Sequence, residues 1–210
     1  MRIGDARIAV VPLAVIAIGF LTAVVCQRFV GAWAFVPLAL VYWCAIALFV
    51  RIDARGIRSA WESGDKGAKI NVLAYLPCLL CVVAFVWGLR SISASPLLIA
   101  LSVVFVLVNP VAEEVFWRRY LLDRLPWRPW LGVAFSTALF TLSHPLMWGV
   151  FSVTIRSSIM ILPLLVMGVV WSVVYLRTGA LRHCIIAHAV VDALNLSVWV
   201  FLNRYVPPVV

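Results

Sequence analysis

The chain alternates long apolar runs with short polar breaks, and the runs have the length of a bilayer rather than of a soluble helix. A helix needs about 20 apolar residues to cross a hydrocarbon core, and runs of that size fall at 8–26, 29–50, 70–88, 97–117, 130–150, 159–176 and 184–203. The pattern predicts an all-α, polytopic transmembrane helical bundle of about seven spans. The fourth run continues past the membrane surface to about Leu125, and the stretch Pro145–Ser158, which holds Pro145, Gly149 and Arg156, reads as a broken or re-entrant piece. The only sizeable hydrophilic loop, Arg51–Lys69, is too short to be a domain, and no internal repeat is visible. The organisation expected is therefore a single membrane domain over 1–210, with N-terminal helices in 1–96 and core helices in 97–203.

Composition sharpens this picture. The chain is 65% apolar and 12% charged, whereas a soluble domain is about 45–50% apolar and about 25% charged. A net charge of +9 would suit a nucleic-acid partner if it were gathered on one domain. The basic residues lie instead at the ends of apolar spans, so no nucleic-acid partner is expected and membrane lipid is. With seven spans, four of the 17 Lys and Arg residues (Arg28, Arg90, Arg156 and Arg204) fall on one side and the rest on the other. The positive-inside rule then predicts a multi-pass inner (plasma) membrane protein with its N-terminus in the cytoplasm. The run Ile8–Cys26 is long enough to span and no small-residue cleavage site follows it cleanly, so it reads as a retained first helix. Cys78 and Cys81 form C-x-x-C without a βαβ context or a second pair. They read, like Cys26, Cys44 and Cys184, as buried small hydrophobes.

Charged residues inside a span are expensive and mark function by default. The fourth run carries Asn109-Pro110-Val111-Ala112-Glu113-Glu114, followed by Arg118 and Arg119; two later runs carry His144 and His188, with Asp192 one turn after His188. Positions i and i+4 share a helix face, while neighbours diverge by about 100°. Glu114 and Arg118 can thus pair along one face. Glu113 is left to face the bundle interior and is the candidate chemical group. Pro110 removes a backbone hydrogen bond and is expected to open the helix there. His188 and Asp192 share a face, so the carboxylate can orient the ring and fix its tautomer. His183 reads as interfacial.

Depth tests whether these groups can meet. Taking Arg118 and Arg182 as surface markers, Glu113 and His188 both lie roughly 8–9 Å inside, whereas His144 lies roughly 20 Å beyond Arg128–Pro129 at about 1.5 Å per residue. The three depths agree if Pro126-Trp127-Arg128-Pro129-Trp130 lies along the interface and the fifth helix starts late and tilts strongly.

Together the three segments resemble the signature of the CPBP family, the CAAX-prenyl-protease and bacteriocin-processing (Abi) intramembrane proteases. That signature is E-E-x-x-x-R, F-x-x-x-H and H-x-x-x-N/D, read here as Glu113-Glu114-x-x-x-Arg118, Phe140-x-x-x-His144 and His188-x-x-x-Asp192. The likeness covers about residues 97–195 and extends to Trp171 and Tyr175-Leu176-Arg177-Thr178-Gly179. It implies hydrolysis of a peptide bond near the cytoplasmic membrane face, in a peptide or membrane-anchored protein substrate. By motif position the catalytic residues would be Glu113 as general base, His144 as its helper in activating water, and His188 with Asp192 as the pair supporting the oxyanion. Glu114 and Arg118 would be the structural couple. Prenyl proteases often carry asparagine where this chain has Asp192, and an ionised aspartate cannot donate to an oxyanion. It must orient His188, carry a proton or bind a metal.

The resemblance leaves two mechanisms. In the preferred one no cofactor is needed: a glutamate beside an imidazole holds a water and takes its proton. In the other, Glu113, His144, His188 and Asp192 bind a divalent metal, with zinc the natural choice for mixed N/O ligands. Two other function classes use intramembrane acids and histidines. A proton-coupled transporter would show paired repeats, and none is visible; a scaffold or immunity-type membrane protein would not need the motifs complete.

Overall fold

The computed structural model describes residues 6–50, 61, 68–92 and 95–207. Most of the loop expected over Arg51–Lys69, together with the basic residues Arg2, Arg51, Arg55, Arg58 and Lys66, lies outside the described residues. The described chain is helical: α1 (Val11–Val30), α2 (Phe35–Val50), α3 (Ala68–Leu73), α4 (Leu76–Gly88), α5 (Pro96–Glu114), α6 (Leu121–Arg124), α7 (Pro129–Met147), α8 (Val153–Arg156), α9 (Ile161–Thr178), α10 (Arg182–Leu194) and α11 (Ser197–Phe201).

Helix boundaries follow local chemistry. Pro96 opens α5 and Pro129 opens α7, each after an extended residue, because proline needs no hydrogen bond in the first turn. Gly179, at φ +71°, closes α9 and donates its N–H to the Tyr175 carbonyl at 2.7 Å, a left-handed cap that glycine adopts without strain. Gly31, at φ +57°, divides α1 from α2, which pack on each other.

Among the described residues, five helical stretches are long and apolar enough to cross a membrane: Arg7–Val50, Lys69–Gly88, Pro96–Arg124, Pro129–Val150 and Ser158–Thr178. The first has 44 residues and would be about 66 Å long if straight, twice a hydrocarbon core; folding at Gly31 makes it a packed pair. The outward faces stay apolar, with Phe29 82%, Leu48 77% and Leu162 69% exposed. Water would penalise such surfaces, whereas lipid matches them. This is an all-α polytopic membrane protein.

Three expectations are corrected. The run 184–203 is not one helix. α10 has 13 residues, about 20 Å, and ends where Leu196 takes a left-handed conformation at φ +53°; α11 follows. Pro110 does not open α5, which runs through it; the helix widens later, into a π-helical segment at Val115–Tyr120. And α7 starts at Pro129 rather than late. The stretch after Pro145 is broken as expected, into single turns and α8, with Ser152 capping α8 by accepting from the Ile155 N–H.

The core is aromatic. Tyr42, Phe116, Trp117, Phe140, Trp148 and Trp171 are each below 2% exposed. α10 packs between α5 and α4, and α9 lies against α7, with Gly168 so close to Thr137 that a methyl group there would sit 2.6 Å from its Cγ2. Asp123 of α6 accepts from the Tyr175 hydroxyl of α9 at 2.9 Å, and Tyr75 meets His183 of α10 at 3.1 Å. The ends of the bundle that carry Lys69, Arg124, Arg177 and Arg182 are thereby tied together.

Candidate active site

Glu113 and Glu114 leave α5 side by side and, as their spacing predicts, serve different partners. Glu114 pairs with Arg118 through Oε2 and Nε at 3.2 Å, and both side chains are 0% exposed. The guanidinium lies over the rings of Phe140, 4.5 Å from its centroid, and Trp171, 5.3 Å away. A desolvated cation gains about 2 kcal/mol from such a face, which offsets part of its burial. The π segment that begins at Val115 widens the helix where these charges leave it, a distortion frequent at functional sites.

Arg118 is therefore no surface marker, and the depth argument changes. The helical path containing Glu113 continues to Arg124, so the carboxylate lies about 17 Å from that end at about 1.5 Å per residue. His144 lies about 22 Å from the start of α7 on the same rise. The turn before α10 is packed inside the bundle, with Ala180 3% and Leu181 0% exposed, and His188 reaches both glutamates. The groups come together without a late start of the fifth helix.

His188, 3% exposed, is the hub. Its Nδ1 lies 2.8 Å from Glu114 Oε1. The carboxylate, ionised against Arg118, accepts only, so Nδ1 carries the proton and donates. Nε2 then faces Glu113 Oε2 at 3.6 Å and Asp192 Oδ2 at 3.8 Å. The ring stacks on Trp171 at 4.7 Å and 23°. The expectation that Asp192 orients His188 is corrected: at 3.8 Å it is beyond a hydrogen bond, and the ring is held by Glu114 from another helix and by Trp171. Glu114 is thus both the partner of Arg118 and the group that sets the His188 tautomer.

Glu113 is 0% exposed. Its Oε1 accepts from the Tyr42 hydroxyl at 3.0 Å, and Tyr42 in turn accepts from Trp117 Nε1 at 3.1 Å. Its Oε2 is buried with no hydrogen-bond partner among the described residues. Burying a carboxylate oxygen without such a bond costs about 1–3 kcal/mol or more, and Oε2 faces His188 Nε2 at 3.6 Å. A water 2.8 Å from both Glu113 Oε2 and His188 Nε2 is compatible with their 3.6 Å separation.

Beside this cluster lies a cavity of about 190 Å³. His144, His188, Asp192 and Asn109 contribute to its wall, and most of the rest is apolar, including Phe105, Leu164 and Met167. His144 accordingly shares a chamber with His188 and Asp192. Its Nδ1 lies 2.8 Å from the Phe140 carbonyl and its ring packs edge-on against Phe140 at 4.7 Å. Among the described residues no group of three His, Cys, Asp or Glu side chains is arranged to hold a metal ion; His144 is tied to its own helix rather than converging with the other three.

Two polar neighbours carried no motif. Tyr42 sits in an otherwise apolar helix, and nothing in the sequence linked it to Glu113. Asn109 stood one turn before Glu113, a spacing that could have flagged it. It accepts from Trp43 Nε1 at 3.1 Å and donates to Asp192 Oδ2 at 3.3 Å. The five cysteines are all free thiols; Cys78, Cys81 and Cys184 are buried as expected, whereas Cys26 is half-buried and Cys44 is exposed, which corrects the reading of those two as buried.

Comparison with known proteins agrees with the motifs. Residues 94–194 match the family model described as Type II CAAX prenyl endopeptidase Rce1-like. Neither the curated proteins nor the solved structures return a match. The matched segment runs from the start of α5 to the end of α10 and contains every motif residue, from Glu113 to Asp192. Residues 94–194 thus form an Rce1-like CAAX endopeptidase domain, consistent with the CPBP/CAAX protease family whose motifs they carry.

Proposed function

We propose that the chain is an intramembrane endopeptidase that hydrolyses a peptide bond near the cytoplasmic face of the inner membrane, using water activated by Glu113 with imidazole support and no metal. The observation that carries this reading is the unsatisfied Oε2 of Glu113, 3.6 Å from His188 Nε2, beside a largely apolar cavity. The orientation rests on Lys69, Arg124, Arg128, Arg177 and Arg182, which gather at one end of the bundle.

In this mechanism Glu113 takes a proton from a water held between it and His188. The water oxygen bonds to the substrate carbonyl carbon, and the π pair moves onto the carbonyl oxygen. The polar wall of the cavity meets that charge. Collapse breaks the C–N bond, and the proton held by Glu113 passes to the leaving amine. His144 stands across the same chamber, where its ring can orient the water or the scissile amide. A positioned acid–base group of this kind is worth about 10²–10⁴-fold in rate. The apolar lining suits an apolar or lipid-modified segment of a membrane-anchored peptide or protein.

The test uses purified protein in proteoliposomes with membrane-anchored peptides, lipid-modified and unmodified. The parent chain cleaves at least one class; Glu113→Gln, which keeps the Tyr42 hydrogen bond, lowers turnover at least 100-fold with an unchanged melting temperature. Cleavage by Glu113→Gln at the parental rate would end this reading. In cells the same substitution leaves an uncleaved membrane precursor, which membrane proteomics would identify as the substrate.

A further inference from the structure

Asn109 lies outside all three motifs, yet it borders the cavity and is only 4% exposed. Two contacts fix which way its amide points. Trp43 Nε1 lies 3.1 Å from Oδ1, and an indole nitrogen only donates, so the carbonyl oxygen must face Trp43. The amide nitrogen therefore faces the other way, where it donates to Asp192 Oδ2 at 3.3 Å. A carboxamide nitrogen has two N–H donors; Asp192 takes one and the second remains. The Asp192 oxygen that receives this bond is an acceptor and cannot stabilise negative charge. Unlike Asp192 and the two histidines that share the cavity wall, Asn109 keeps its N–H donors whatever the protonation state.

We propose that Asn109 is a catalytic residue that donates its second N–H to the scissile carbonyl oxygen as it becomes an oxyanion, a role that the acceptor Asp192 cannot fill. This rests on the hydrolase reading above. In the addition step the water oxygen–carbon bond forms, the proton goes to Glu113, and the carbonyl π pair becomes the oxygen lone pair that Asn109 meets. In the collapse step that pair re-forms the carbonyl, the C–N bond breaks, and the amine takes the proton from Glu113. Trp43 and Asp192 hold the amide in place beforehand, so no reorganisation is needed when the charge appears.

The experiment measures kcat, KM and melting temperature for the parent chain, Asn109→Ala, Asn109→Asp and Asn109→Ala combined with Asp192→Asn, on a membrane-anchored peptide the parent cleaves. Loss of one oxyanion donor lowers kcat about 10²–10³-fold, with KM within about twofold. Asn109→Asp, nearly isosteric but without the donor, behaves like Asn109→Ala. Asp192→Asn returns an amide to the same place, so the combined variant recovers at least tenfold over Asn109→Ala. A packing role would instead move melting temperature and KM together and would not be rescued from position 192. A parent that cleaves alongside an Asn109→Ala that cleaves within threefold of it overturns this proposal alone, as does a combined variant that recovers nothing. A parent that cleaves no peptide bond overturns the hydrolase reading and this proposal with it.

Discussion

Glu114→Gln separates the structural carboxylate from its chemical neighbour. The substitution preserves volume and removes one charge from a pair in which both side chains are 0% exposed. Arg118 is left as a buried cation without its paired carboxylate, over the faces of Phe140 and Trp171. Those ring contacts exist before and after, so they cancel. Removing one partner of a buried ion pair costs about 3–5 kcal/mol. The bond to His188 Nδ1, 2.8 Å long, changes from charge-assisted to neutral and loses about 1 kcal/mol more. The sum, about 4–6 kcal/mol, corresponds to about 10–20 °C in melting temperature for a chain of this size. Tryptophan fluorescence during thermal unfolding in detergent micelles measures it. Removing the stranded cation as well, with Arg118→Met, should restore most of the loss, since a well-packed apolar replacement of a buried pair is about neutral. A Glu114→Gln variant that melts within about 2 °C of the parent, a shift of under about 1 kcal/mol, would refute the argument, as would a double variant less stable than either single one.

Two other perturbations test separate parts of the account. Dialysis against a strong chelator leaves cleavage within twofold of the parent rate, and purified protein carries less than one metal ion per chain by elemental analysis; loss of activity restored by zinc would contradict the metal-free mechanism. Gly168→Ala places a methyl group 2.6 Å from Thr137 Cγ2 and destabilises the α7–α9 contact by about 1–3 kcal/mol, read as a lower melting temperature. Thr137→Ser, which removes that methyl, recovers part of it, and an unchanged melting temperature for Gly168→Ala would show that the helices do not approach so closely.

The spans were legible because apolar run length is a direct reading of membrane thickness. The misreadings have physical causes. Arg118 looked like a boundary because arginine near a helix end normally meets water; what buries it is an ion pair completed by aromatic rings from α7 and α9, and neither ring announces that partnership in sequence. The break at Leu196 carries no glycine or proline. It is imposed by tertiary packing, in which Val198, Trp199, Val200 and Phe201 are all buried in succession, so the segment has no lipid face to continue as a span. The pairing of Glu114 with Arg118 was readable from i,i+4 spacing. The same spacing misassigned the partner of His188, because a residue on another helix can come closer than one on its own. Tyr42 and Asn109 act through contacts 71 and 83 positions away in sequence, where no periodicity reaches.

The central claim is that Glu113 and His188 act as a unit on one water. A double-mutant cycle measures this directly: single-turnover cleavage of a membrane-anchored peptide by Glu113→Gln, His188→Gln and the combined variant, each checked for folding by thermal unfolding. Groups that act together are strongly non-additive, so the account predicts that the combined variant is no slower than the worse single variant. Losses that multiply, or a folded single variant that cleaves at the parental rate, would contradict it.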